Sequence, residues 1–319
     1  MIFMIVKHDI PVYNICWLNY AEGGKIGTFY EPESKQELEE LCRGLYKEGL
    51  EFDLIGHTSN IYFLPSYSVD VMVSTRKVRN VMLTDNYIIA DCGVSVKSLS
   101  KRMVEEGVKG FEGLIDLPGT VGAAVYGNAS CYSCSINALL ESFELLMPNG
   151  KIVIKNVNDL KLSKRSSSLK RGELKGIILN VVLKKEYGNK DVIKEQSEKN
   201  HKTRLETQPG PKDNLGSIYS DSKVRKFSII CIIANCLSKL LLYSLKIAGK
   251  SNSYAHKKRK EMYFGIMGSK DLASYVYGWN RYIWKDKKSH GLFWEYHKLH
   301  QKLFKNSKFE IEIKGEKAY

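Results

Sequence analysis

A single glycine-rich stretch constrains this chain more than any other part of it. Residues 110–128 read GFEGLIDLPGTVGAAVYGN. An extended run ends at Leu117 and Pro118, and Gly119, Thr120, Val121, Gly122, Ala123 and Ala124 follow, almost all of them small. Small residues let a backbone approach a ligand closely, and glycine permits turns that other residues cannot make. A helix starting near Pro118 would turn its free N–H groups and the positive end of its dipole towards its N-terminus, an arrangement suited to a pyrophosphate. Proline fits the first turn because its missing N–H has no helical partner there. On glycine content alone, a tightly packed turn without a ligand is the preferred reading.

The chain before this stretch alternates strand and helix. Residues 23–32 read as a turn and a short strand. Ser34 then caps the helix SKQELEELCRGLYKEG, with Glu37 completing a capping box, Leu38, Leu41 and Leu45 as the inward stripe, and Gly49 as the stop. Residues 52–55 form a buried strand, so a strand–helix–strand unit is complete by Gly56. The turn Gly56-His57-Thr58-Ser59-Asn60 follows directly and could aim several backbone N–H groups at a phosphate. Further strands are expected at 69–74, 87–91, 151–154 and 177–183. Helices are expected from Ser95 to Gly107 and over 191–208, with a helix–strand passage at 136–146 and a hairpin turn at 148–150. This alternation predicts an α+β or α/β fold.

A length of 319 residues allows two or three domains, and 43% hydrophobic with 26% charged residues is the balance of an ordinary soluble protein. The formal charge of +14 points to an anionic partner, for which nucleic acid, anionic lipid and phosphorylated small molecules all qualify. Seven scattered cysteines give no disulfide framework, so a cytoplasmic setting is expected. Cys131 and Cys134 form a lone C-x-x-C without a second pair, which argues against zinc. The N-terminal residues show no basic leader and no cleavage site, so no signal peptide is expected.

The segment from Leu117 to Ala129, LPGTVGAAVYGNA, resembles the flavin-binding signature of UDP-N-acetylenolpyruvoylglucosamine reductases, FAD enzymes that complete UDP-N-acetylmuramate. Other motifs occur in that family's order. Residues 56–60 resemble its Gly-Gly-Gly-Ser-Asn turn, with His57 and Thr58 replacing glycines and Thr58 offering a hydroxyl instead. Lys164-Arg-Ser-Ser-Ser-Leu-Lys170 is similar to Tyr-Arg-x-Ser-x-Phe-Lys, which gives Arg165 the role of contacting the substrate carboxylate; a guanidinium fork suits that contact. Arg204-Leu-Glu-Thr-Gln-Pro209 resembles Arg-Arg-x-x-Gln-Pro and places Arg204 near substrate. Asn214-Leu-Gly-Ser-Ile-Tyr219 puts Ser217 on the catalytic serine, and Phe309-Glu-Ile-Glu-Ile-Lys314 puts Glu312 on the catalytic glutamate. The likeness covers about residues 20–220 and the last strand. Between them, Ser220-Asp221-Ser222 replaces the family's Lys-Asn-Pro.

The resemblance implies an α+β, two-subdomain FAD-binding fold of the vanillyl-alcohol oxidase (PCMH) type, followed by a divergent, helix-rich C-terminal substrate domain. Subdomain 1 would occupy residues 1–80, subdomain 2 residues 81–208 and the substrate domain residues 209–319. It implies noncovalent FAD held by Gly56, His57, Thr58, Ser59 and Asn60, and by Pro118, Gly119, Thr120, Gly122, Ala123, Asn128 and Ala129. NADPH would donate hydride to the flavin, and the substrate would be the enolpyruvyl ether of a nucleotide sugar. The altered C-terminal third favours a cell-surface polysaccharide sugar other than the peptidoglycan precursor. An FAD oxidoreductase with another substrate class, or a non-catalytic binding protein on a flavin fold, remain open. Neither a metal nor a nucleic acid is expected.

Within the divergent third, residues 227–245 are apolar, interrupted by Asn235 and Lys239. They are expected as a buried or interfacial helix rather than a spanning one, with peripheral membrane contact an open possibility. Residues 263–267 read as a strand. Ser269 is expected to open a helix carrying Tyr275, Tyr277, Trp279, Tyr282 and Trp284, with Phe293, Trp294, Tyr296 and His297 on another. At helical spacing these aromatics are expected in the core or as pocket walls.

Overall fold

Two patterns of burial produce two sheets. The computed structural model describes residues 4–21, 23–210, 212–220 and 227–315; Asp221 and Ser222 lie outside the described residues. The first part of the chain forms β1 (Ile5–Pro11), β2 (Lys25–Glu31), α1 (Lys35–Lys47), β3 (Asp53–Ile55), β4 (Ile61–Phe63) and β5 (Ser68–Ser74). Four of these strands form one sheet in the order β1-β2-β5-β3. β1 and β2 are antiparallel, while β2 and β3 both run parallel to β5. β3 is a short edge strand, and only Ile55 of it is buried, less than the sequence pattern suggested.

The cap of α1 forms differently from a reciprocal box. Ser34 Oγ accepts from Glu37 N at 3.1 Å, but the Glu37 carboxylate accepts from Glu33 N at 2.8 Å, one residue before the cap. Leu38, Cys42 and Leu45 form the buried stripe.

The second sheet takes its strands from the next hundred residues. β6 (Val81–Leu83), β7 (Tyr87–Asp91), α2 (Val96–Glu106), α3 (Val121–Tyr126), the hairpin β8 (Ser130–Cys131) and β9 (Cys134–Ser135), α4 (Ile136–Leu139), β10 (Leu140–Leu146), β11 (Ile152–Asn156) and β12 (Ile177–Lys184) follow in order. The antiparallel order is β11-β10-β12-β7-β6. β12 is buried at successive residues from Ile177 to Val181, which requires cover on both faces. Its apolar run and the stripe of α1 belong to one core with Val73 of β5, so the two sheets share interior.

α5 (Lys190–Thr207) leads into the C-terminal third, which contains α6 (Ile229–Ile247), α7 (Asn252–Ile266), α8 (Lys288–Leu303) and β13 (Glu312–Lys314). Its core is aromatic: Trp284, Tyr282, Phe293 and Tyr296 are fully buried, and Tyr62 from β4 joins them. Tyr62 packs edge-on to Phe293 at 5.1 Å between centroids, and its hydroxyl reaches His290 Nδ1 at 2.8 Å.

Two sequence expectations fail here. The aromatic-aliphatic run at 263–267 is the last part of α7, not a strand, because Ser251 caps a helix upstream of it and the helix runs through. The helix expected from Ser269 is a single 3-10 turn, Lys270–Ser274, and the following aromatics lie on irregular chain that fills the core. α6, expected as a buried or interfacial helix, is buried along one side only: Ala234, Ser238 and Leu242 are buried, while Ile229, Ile232, Leu237, Leu240 and Ile247 are exposed.

The indole N–H of Trp284 has no acceptor among the described residues, although the side chain is fully buried. Trp284→Phe should therefore cost less than about 1.5 kcal/mol, since it also removes an unsatisfied donor. Trp284→Ala should cost about 3–5 kcal/mol through the cavity it leaves. Urea unfolding followed by circular dichroism separates the two; equal losses would contradict this account of the aromatic core.

Candidate active site

The two turns singled out in the sequence meet across one cavity. Its volume is about 710 Å³, inside the range of about 300–1,000 Å³ common for small-molecule sites. Gly56, His57, Thr58, Ser59 and Asn60 line it from one side and Gly119, Thr120, Gly122 and Ala123 from another, with Tyr126, Ile177, Glu312 and Lys314 around them.

The N-terminus of α3 is not the anion site expected from the sequence. Thr120, not Pro118, is its N-cap. Val121 N donates to Val94 O at 2.8 Å, Gly122 N to Cys92 O at 2.9 Å, and Ala123 N to Thr120 Oγ1 at 3.4 Å. The first helical amides are thus committed to protein. Gly122 serves packing, since a Cβ there would lie 2.8 Å from Cys92 Cβ.

The free donors lie just before the helix and in the opposite turn. The backbone amides of His57, Thr58, Ser59, Asn60, Gly119 and Thr120 donate to no protein acceptor among the described residues. Amides without partners are uncommon in a folded chain, and a group of them on residues that line one cavity fits an anionic group such as a pyrophosphate. Gly119 has φ +122°, which favours glycine, and a Cβ there would meet only Ser59 Oγ at 3.5 Å.

Thr58 explains how the turn survives without its glycines. It holds φ +56°, unfavourable for a β-branched residue. Its buried hydroxyl accepts from Trp17 N at 2.7 Å and donates to Ile15 O at 3.4 Å. Those bonds hold the strained residue in place. They also turn the hydroxyl away from the role of phosphate ligand expected for it. Arg76, unremarked in the sequence, supports the same turn: its Nε donates to Gly56 O at 3.0 Å, and it also bonds Ile15 O. Burial, then the nearby Arg76 charge, lowers the His57 pKa and favours the neutral imidazole.

The remaining predicted residues do not all reach this cavity. Asn128 Nδ2 donates to Ser163 O at 2.8 Å, so it positions the loop that carries Arg165. Ala129 N closes on Ala124 O and, like Pro118, is not on the cavity wall. Arg204 stands beside the β8–β9 hairpin, with Nη1 4.0 Å from Cys131 Sγ.

Arg165, Ser217 and the closing strand do converge. Arg165 Nη1 donates to Ser130 O and Oγ at 2.9 and 3.0 Å, and its Nε meets Glu310 Oε1 at 3.0 Å. Lys170 Nζ stands 3.6 Å from Glu312 Oε1. Glu310 N donates to Ile218 O at 2.8 Å, which ties the segment carrying Ser217 to the one carrying Glu310. Ser217 is half-buried and follows Gly216, whose φ is +78°. Glu310 was not singled out in the sequence; burial raises its carboxyl, against the pull of Arg165 and then of Lys170 and Lys164.

An amide cradle over a cavity between two α/β subdomains, with a helical third part supplying charged residues at its edge, defines an FAD-binding oxidoreductase. Residues 28–155 match the FAD binding domain family. A UDP-N-acetylenolpyruvoylglucosamine reductase of Fervidobacterium nodosum is 31% identical over 240 residues, covering 75% of each chain. The Clostridium kluyveri enzyme of that name is 30% identical over 215 residues, 67% of this chain and 69% of its own. The chain belongs to the UDP-N-acetylenolpyruvoylglucosamine reductase family. The crystal structure of the Thermus caldophilus reductase shares the fold over 98% of this chain and 99% of its own, with a TM-score of 0.66 at 18% identity.

The cradle makes a paired prediction. Ser59→Glu adds a carboxylate among the free amides, so flavin affinity should fall at least ~10-fold with little change in thermal stability. Gly122→Ala should instead lower the thermal midpoint, because it pushes α3 off Cys92 at a cost of about 1–3 kcal/mol. Fluorescence titration with FAD and thermal melting of the apoprotein check both. Unchanged affinity in Ser59→Glu would place the pyrophosphate elsewhere.

Proposed function

We propose that this chain uses NADPH, through FAD, to reduce the enolpyruvyl ether of a nucleotide sugar to a lactyl ether. Residues 1–80 and 81–208 would hold the cofactor, and residues 209–319 would cover the substrate. The observation that carries the reading is the position of Glu312. Glu312 lines the cavity shared by the two turns, and its N–H donates to Asn60 O, at the end of the first of them, at 2.9 Å.

FAD, when bound, supplies hydride transfer. This chain's residues supply the setting. Hydride arriving at the outer carbon of the enolpyruvyl double bond leaves negative charge on the carbon beside the carboxylate. Arg165, braced at Nη1 by Ser130 and at Nε by Glu310, would hold that carboxylate through its remaining Nη2 donors. Arg165 and Lys170 together form a preorganised positive field where charge develops. Glu312 lines the same cavity, and Lys170 stands 3.6 Å from its carboxylate.

Ser217 would deliver the proton to carbon. A serine is a weak acid, so the step needs a strongly basic carbanion and a site closed to water. Arg204 and the 131–134 hairpin border the substrate side in this reading. The cysteines among the described residues are free thiols, which suits the cytoplasmic location that belongs to the same proposal.

Ser217→Ala should still bind FAD and accept hydride from NADPH at the parental rate, since neither event uses its proton. Reoxidation by the enolpyruvyl nucleotide sugar should slow by at least ~100-fold, while Ser217→Cys should retain part of the rate. Stopped-flow absorbance resolves the two half-reactions. Equal slowing of both, or reoxidation at the parental rate, would remove Ser217 from the acid role.

A further inference from the structure

We propose that α6 and the basic residues beside it form a docking surface for an anionic phospholipid bilayer. The helix presents two faces. The inward face packs on α7 through Ala234, Ser238 and Leu242, and Cys231 Sγ lies 3.0 Å from Tyr263 Oη. The outward face carries Ile229, Ile232, Ile233, Leu237, Leu240 and Ile247, all exposed, with Leu240 at 64% and Ile247 at 88%. At about 100° per residue these positions form one continuous apolar face. Phe227, just before the helix, is 83% exposed. An apolar surface of this extent on a folded chain marks an interaction site.

Charge selects the partner. Between Asp221 and Glu261 the sequence holds ten Lys or Arg residues and no Asp or Glu. None of them falls in the outward apolar face. Lys239 and Lys246, seven residues apart, stand together at its edge and are exposed. Long lysine stems can lie along the apolar surface and place their ammonium groups at headgroup level. Tyr243, also exposed, suits the same depth. A second copy of this chain would bring two basic rims together, and like charges across an interface oppose association.

The geometry also sets the mode of binding. α6 has 19 residues, close to the length needed to cross a bilayer. Its inward face is taken by α7, which carries Lys257, Lys258, Arg259 and Lys260. The helix would therefore lie in the plane of the interface with its outward side chains among the acyl chains. The cavity that holds the cofactor is lined by other elements, so docking leaves it free.

Vesicle co-sedimentation of the full-length protein tests this. Binding to phosphatidylcholine vesicles with about one-third phosphatidylglycerol should be at least ~10-fold tighter than to phosphatidylcholine alone, and should weaken with salt. Ile233→Glu/Leu240→Glu and Lys239→Glu/Lys246→Glu should each lower anionic-vesicle binding at least ~10-fold. Both pairs are exposed, so circular dichroism and flavin content should match the parent. Parental binding by folded variants, or no preference for anionic vesicles, would overturn the proposal. So would a dimer in sedimentation velocity that Ile233→Glu/Leu240→Glu dissociates while the parent ignores vesicles; α6 would then be a protein interface.

Discussion

The arrangement depends on three residues of parallel pairing between β13 and β4. Glu312, Ile313 and Lys314 register with Ile61, Tyr62 and Phe63, and Glu312 N donates to Asn60 O at 2.9 Å. This pairing returns the end of the described chain to the turn that supplies the free amides. One set of backbone bonds therefore fixes both the 56–60 turn and Glu312, which line the same cavity. Asn60 strengthens the link with its side chain, donating from Nδ2 to Glu310 O at 3.2 Å. Tyr62, between the two, anchors the aromatic core of the C-terminal third. A strand this short has little stability of its own and holds because its neighbours are packed on both sides.

That dependence explains why the site sits where the parts meet. The amides of residues 57–60 have no protein acceptor among the described residues, in a turn where bonds to Ile15 and Trp17 hold Thr58 in a left-handed conformation and Arg76 braces Gly56. Opposite them, Gly122 and the carbonyls of Val94 and Cys92 seat α3 so that Gly119 and Thr120 face the same space. Nearby, Arg165 pairs with Glu310, just before β13, and Lys170 with Glu312 at its start. Contacts between residues far apart in sequence thus bring the two turns and Glu312 around one cavity.

Much of the first 210 residues was legible because the signals were local. Ser34, Ser95 and Gly107 mark helix ends by their own chemistry, and the strands at 69–74 and 87–91 declare themselves by apolar residues. Contacts distant in sequence were not legible. The amides of α3 are satisfied by carbonyls more than two dozen residues upstream, and Glu310 acquires meaning only from Arg165 across the fold. The run at 263–267 has the composition of a strand but is carried through as helix from a cap twelve residues earlier, which a short window does not see. For α6 the apolar residues allowed a buried or an interfacial helix, and most of them are exposed, a choice that hydropathy alone does not make.

The central claim is that a flavin held in the amide cradle passes hydride from a nicotinamide donor to an enolpyruvyl nucleotide sugar. The absorbance of the flavin bound to the purified protein, followed without oxygen, tests it most directly. NADPH should bleach the spectrum, and enolpyruvyl-UDP-N-acetylglucosamine should then restore it while lactyl-ether product accumulates in equal amount. A bleached spectrum that this substrate leaves unchanged, or a folded protein that retains no flavin, would contradict the account.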